Sequence, residues 1–186
     1  SQGWSSRCNT IETEVLMDPY IEELSEVIQN GDMENTYKMV WIRSIVETCV
    51  LETSNKMIHF DKLSQEIFRY YWNQTIYFDL EQSLNPEKRP EIYQILLKEV
   101  NCFRSQYGHQ PQWFNRIENK VNVPLTKISS ILTKDVCWRF PKVDRKTYDL
   151  YDLDKSNHGL TFNGNFYWFP ERRIQSLFDQ KSYRLE

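Results

Sequence analysis

"FRYYWNQTIYFD", residues 68–79, sets six aromatic side chains within twelve residues around an uncharged Asn-Gln-Thr. An exposed aromatic strip beside amides suits base stacking or peptide capture, whereas a buried one is the centre of a core. Helical periodicity separates the two. At about 100° per residue, Lys62, Gln65, Glu66, Arg69 and Asn73 gather on one polar face. Leu63, Ile67, Tyr70, Tyr71 and Gln74 lie opposite, and Phe68 and Trp72 widen the apolar arc. The stretch therefore reads as a core helix with Asp61 as its N-cap. Asn73 is expected to face outward. Gln74 is expected on the apolar side, where an amide must find partners or cost about 1–3 kcal/mol. It would either tie down the chain as it turns into "TIYFDL" or face a ligand.

On the N-terminal side, "KMIHF" (56–60) reads as a short strand. "NTYKMVWIRSIVETCVL" (35–51) reads as a mostly buried helix carrying Met39, Ile42, Ile45, Val46 and Cys49 inside and an Arg43–Glu47 pair outside. An acidic amphipathic helix is expected from Asp18-Pro19 to a stop at Gly31. On the C-terminal side, residues 79–90 read as a loop. Pro86 or Pro90 then opens a helix whose Ile92, Ile95, Leu96, Val100, Phe103 and Tyr107 recur at helical spacing up to Gly108. A short helix, "QWFNRIENK", follows Pro111.

A composition of 40% hydrophobic, 26% charged and 15% aromatic residues describes a chain that folds, and its few Gly and Pro are unclustered. No apolar run approaches the ~18 residues of a membrane span, and the first ten residues lack the apolar stretch of a signal peptide. The expectation is a soluble cytoplasmic protein with no membrane partner. Cys8, Cys49, Cys102 and Cys137 form no CxxC pair, and His59, His109 and His158 stand at no ligand spacing from them, so free thiols are expected rather than zinc. Phosphate-binding, dinucleotide, GxSxG and HExxH motifs are absent. Matches to Glu/Asp-x-Lys at Glu118 to Lys120 and Asp144 to Lys146 are no more than the composition gives by chance. No catalytic residue, metal or cofactor is expected.

Net charge is −3, but it is unevenly divided. Residues 1–100 hold nine Lys and Arg against seventeen Asp and Glu, or −8, and residues 101–186 hold fourteen against nine, or +5. Clustered cations are what neutralising phosphates requires. In "VPLTKISSILTKD" (123–135), Pro124 opens a helix with Leu125, Ile128, Ile131 and Leu132 inside and Thr126, Lys127, Ser129, Ser130, Thr133 and Lys134 outside. Hydroxyls and lysines without an acid suit a helix lying in a major groove. "VCWRF", "TYDLYDL" and "LTFNG" read as two or three short strands, with Lys155 and His158 at the tip of a hairpin. Helix followed by hairpin is the order of a winged helix. Asp149, Asp152 and Asp154 oppose phosphate contact along the whole hairpin.

"NTYKMVWIRSIVET", "FRYYWNQTIYFDL", "KDVCWRF" and "YDLYDLDKSN" together resemble the amino-terminal region that precedes the HNH nuclease module in a group of bacterial, restriction-like HNH endonucleases, over roughly residues 33–178. The His-Asn-His module itself does not occur among these residues. The resemblance implies a target-recognition or positioning region of a restriction or antiviral defence system. Its partners would be duplex DNA and an HNH nuclease module or partner subunit.

The expected fold is α+β and mainly helical, an acidic helical part (1–108) followed by a basic winged-helix-like part (109–186) with a short β-hairpin, the two sharing one core. Lys127, Lys134, Arg139, Lys142, Arg145 and Lys146 are expected to anchor phosphates, with Lys155 on the wing and Thr126, Ser129, Ser130 and Thr133 near base edges. The alternative is a protein-interaction module that docks a nuclease or other defence subunit through the acidic half.

Overall fold

The long apolar periodicities become helices around a small antiparallel sheet, the mainly helical α+β class that the sequence implies. The computed structural model describes residues 19–31, 36–51, 57–80, 87 and 89–162. Cys8, Asp18, Pro86 and most of the loop expected at 79–90 lie outside them. Among the described residues the elements are α1 (Pro19–Asn30), α2 (Tyr37–Leu51), β1 (Met57–His59), α3 (Phe60–Phe78), α4 (Glu91–Tyr107) and α5 (Phe114–Ile117). Then come α6 (Leu125–Ile131), β2 (Lys142–Val143), β3 (Lys146–Thr147), β4 (Tyr151–Asp154) and β5 (Gly159–Phe162). No described helix is long and apolar enough to cross a membrane.

α3 packs against α2, α4, α5, α6 and β1. Its Leu63, Phe68, Tyr71 and Trp72 are wholly buried, so the aromatic stretch is core over most of its length. Trp72 donates its Nε1–H to the Gln112 carbonyl at 3.0 Å. Its ring lies 5.3 Å from Phe103 of α4 and 5.9 Å from Phe114 of α5, centroid to centroid. Large rings at this spacing supply much of a core's apolar burial. The stretch changes character only at its end, where Tyr77 is half-buried and Phe78 is 66% exposed.

Four local expectations are corrected. Asp61 is not the N-cap: it lies inside α3, which begins two residues earlier than that cap implies, His59 holds the cap position, and the first free amide of the helix, that of Phe60, is satisfied by the His158 carbonyl at 2.8 Å. Asn73 does not face outward. The segment before α5 crosses its face, and Asn73 Oδ1 accepts the Phe114 N–H at 2.9 Å, doing for α5 what Trp113 at the cap position lacks the side chain to do. Gln74 is half-exposed, and Thr75 and Ile76 take the buried positions beside it. The helix also runs through "TIYF" and stops where Asp79 turns left-handed (φ 49°), with its N–H on the Thr75 carbonyl.

In the sheet, β5 lies between β1 and β4 and is antiparallel to both, with Ile58 and Leu153 each opposite Leu160. Residues from before and after position 108 are thereby hydrogen-bonded to one another, and one hydrophobic cluster runs from Leu24 to Phe162. Gly159 is required here: a Cβ would sit 2.7 Å from the Ile58 carbonyl oxygen. The turn before it is closed by Asp154, which accepts the Ser156 and Asn157 amides at 3.0 Å each. The Asn157 side chain and backbone lower the Asp154 pKa by bonding its charged form.

On the outer side of α2 and α3, Glu47 meets Arg43 at 3.1 Å and Arg69 at 2.7 Å, and both guanidinium groups lie within 5 Å of the Tyr70 ring centre. Burial would raise the Glu47 pKa, but the neighbouring Tyr70 phenol and the two arginines outweigh it and hold it below the usual carboxylate range.

Replacing Tyr71 with Ala should cost about 3–5 kcal/mol in urea unfolding. Asn73→Ala should cost about 1 kcal/mol through the missing cap; native stability in Asn73→Ala would mean that its bond to Phe114 contributes nothing. A depressed carboxylate stabilises the fold above its unfolded pKa and loses that contribution as pH falls through the folded one. The stability margin of the native chain over Glu47→Gln should therefore be present at neutral pH and close on acidification below the ordinary glutamate range. A margin independent of pH would show that the carboxylate charge is not what stabilises.

Candidate nucleic-acid interface

The basic segment begins on α6, where Ile128 and Ile131 point inward and the Lys127 and Ile128 amides bond to the Pro124 carbonyl. The helix then widens into a π turn over Leu132–Val136. Side chains explain the widening. Thr133 Oγ1 donates to the Ser129 carbonyl at 2.8 Å, Cys137 Sγ donates to the Thr133 carbonyl at 3.2 Å, and the Cys137 amide reaches back to Leu132 at 2.9 Å instead. The turn keeps Leu132 and Val136 buried and breaks the regular helical period between Lys127 and Lys134.

"VCWRF" is therefore not a strand. The Arg139 and Phe140 amides both bond to the Val136 carbonyl, giving a tight turn that buries Phe140 and leaves Trp138 45% exposed. Pro141 then leads into the two-residue hairpin β2–β3, whose turn is Asp144 (φ 51°) and Arg145. The Tyr148 amide closes the hairpin on the Pro141 carbonyl at 2.9 Å.

Trp138 organises the cations around it. Its Nε1–H is donated to the Lys134 carbonyl, Arg139 Cζ lies 5.0 Å from the ring centre, and Lys142 Nζ lies over the ring at 4.3 Å. Lys146 Nζ lies 4.0 Å over the ring of Tyr148. Each is a cation–π pair, and it gives flexible basic side chains a preferred place on the surface. Arg139 is also 3.8 Å from Asp135, a weak exposed pair.

The residues expected at an interface fall into three sets. Lys134, Arg139, Lys142, Arg145 and Lys146 are all exposed along the π turn, the tight turn after it and the β2–β3 hairpin. Thr126, Lys127 and Ser130 are exposed on α6, and Lys155 is exposed on the β4–β5 turn. Ser129 and Thr133 turn inward. Ser64 donates to Ser129 Oγ at 2.9 Å, Ser129 donates on to Asp61 at 3.2 Å, and Thr133 is spent on its own helix. The β4–β5 hairpin is no free wing, since the carbonyl of His158 holds the start of α3 and that of Asn157 lies 3.2 Å from His59 Nδ1.

Trp138 and Tyr148 were missed as site residues. Their signal was the alternation of aromatic and basic residues in "WRFPKVDRKTY" (138–148).

Two clefts flank Lys142. One, of about 440 Å³, lies between the starts of α2 and α4 and the π turn; its Lys38, Arg139 and Lys142 are matched by Glu91, Asp135 and Asp144. At its edge the Tyr37 hydroxyl accepts the Ile92 amide of α4 at 2.8 Å, and burial holds that phenol well above its usual pKa. The other, of about 410 Å³, has Trp138, Tyr148 and Tyr151 as walls and Asp149 as its one acid. Among the described residues no group of His, Cys, Asp and Glu is placed to hold a metal ion. Comparison of the chain with known protein families, curated proteins and solved structures finds no match.

Proposed function

We propose that this chain is the DNA-recognition or positioning region of a restriction-like or antiviral HNH endonuclease system and that it grips duplex DNA through the segment from α6 to β3. The observation that carries the reading is the surface of residues 134–146: five exposed cations in thirteen positions, with Arg139, Lys142 and Lys146 seated on two aromatic rings. Such a surface matches a phosphate backbone. Lysines serve as point charges for phosphate, while Thr126 and Ser130, short and exposed, are the hydroxyls left to approach base edges. Asp152 and Asp154, on β4, confine the interface to the β2–β3 side. Delivery of the bound DNA to an HNH module follows from the resemblance carried by the four sequence stretches.

A second reading, docking to a nuclease or other defence subunit, is favoured by a separate observation. Phe78, Leu80 and Trp113 are 66%, 49% and 42% exposed around the end of α3, and the Trp113 ring packs at a tilt against Tyr77, 4.3 Å between centroids. Apolar residues grouped on a surface mark protein contacts.

A duplex titration at several salt concentrations separates the two. DNA binding through this segment should weaken steeply with salt, and Lys127→Ala, Lys134→Ala and Lys142→Ala should each flatten the log–log slope by about 0.9 for every phosphate no longer neutralised. Ser130→Ala should alter preference among sequences by about 1–3 kcal/mol, whereas Ser129→Ala should lower thermal stability instead. Absence of binding at low salt, with methylated and unmethylated duplexes alike, would leave the docking reading in its place.

A further inference from the structure

The cleft between Trp138 and Tyr148 has a composition that phosphate anchoring does not use. A backbone grip needs cations alone, yet here the cations stand on a half-exposed indole and on a tyrosine that line one cavity of about 410 Å³. Pro141 is a further wall, Tyr151 forms another, and Asp149 supplies a carboxylate. The indole is fixed in place by its bond to the Lys134 carbonyl, and the Tyr151 ring by its hydroxyl on the Cys137 carbonyl at 2.6 Å.

The charges select the occupant. A cationic ligand of the kind aromatic cages hold would be repelled by the like charges of Arg139, Lys142 and Lys146 beside those rings, side chains flexible enough to leave a ring face for a phosphate. A purely apolar ligand would leave the cations without a role. A nucleobase fits both features: it is a flat π system that stacks on an aromatic ring, and it is tethered on either side to phosphates that the rim cations neutralise. Asp149 can accept a hydrogen bond from an exocyclic amino group, as carboxylates do at cytosine. A base held within a duplex cannot enter such a cleft, because its faces are covered by its neighbours.

We propose that this cleft receives a single unpaired nucleobase, stacked on Trp138, while the surrounding lysines and Arg139 hold the adjoining phosphates. The proposal rests on the DNA-binding reading above and deepens it: the preferred substrate is a duplex with a base out of its stack.

The test compares a fully paired duplex, the same duplex carrying one bulged fluorescent aminopurine, and the corresponding single strand, at one fixed low salt concentration. The bulged duplex should bind roughly 5- to 150-fold more tightly than the paired one, with quenching of the aminopurine on binding. Trp138→Ala should bring that ratio close to one, and Trp138→Phe, which keeps a stacking face, should preserve most of it. A strand that binds as tightly as the bulged duplex would also support base capture, with strandedness rather than the bulge as its source. Equal binding of paired and bulged duplexes by the native chain, with the salt dependence intact, would overturn base capture and leave DNA binding standing. A bulge preference unchanged in Trp138→Ala would likewise overturn it, and failure to bind any of the three would remove both readings.

Discussion

The Tyr151 hydroxyl joins the helical part of the molecule to its basic surface. It accepts the Trp41 indole N–H from α2 at 3.2 Å and donates to the Cys137 carbonyl, the backbone immediately before Trp138. Around it the Tyr151 ring meets Trp41, Phe140 and Phe162 at centroid distances of 6.3, 6.5 and 5.8 Å. Burial holds this phenol far from ionisation, so it keeps the proton that the bond to Cys137 needs. Removing the hydroxyl would leave an indole N–H and a carbonyl without this partner, a cost of about 1–3 kcal/mol for each group left buried and unpaired. The position of Trp138, Arg139 and Lys142 is thus tied, through Tyr151, to a residue of α2.

A second set of bonds makes the same connection at the two ends of the β4–β5 hairpin. The His158 carbonyl on Phe60, the β1–β5 ladder and the Tyr20 hydroxyl on the Leu150 carbonyl at 2.9 Å hold the hairpin against α1 and α3. A surface on such a base is held in place before any ligand arrives, so binding there would lose less conformational entropy than ordering a free wing. It also divides the labour along the chain. The aromatic helix α3 is spent on stability, and the cations of the candidate interface come from short, irregular elements pinned to it.

What the sequence made legible follows from periodicity. α1, α2, α3 and α4 are long enough for a 3.6-residue pattern to show, and the stops at Gly31 and Gly108 and the starts at Pro19 and Pro90 carry ordinary local signals. The rest depended on partners distant in the chain. Asn73 looked solvent-facing until residues 112–114 crossed it, and Asp61 looked like a cap until the turn at His158 took that task. The π turn came from competition between Thr133, Cys137 and the backbone for the same carbonyls, which no hydrophobic pattern records. At the candidate site the cations were legible as charges. Their aromatic seats showed only as an alternation of aromatic and basic residues, which is obscured when Trp138 and Tyr148 are read as ordinary strand residues.

On the proposed reading the α6-to-β3 segment, not the aromatic face at the end of α3, meets the ligand. Amide hydrogen exchange of the whole chain with and without a short duplex tests it directly. Slowed exchange concentrated in residues 126–148, with the amides of residues 76–80 and 111–117 unchanged, is the predicted result. Protection around Phe78 and Trp113 with none between Lys134 and Tyr148 would contradict it.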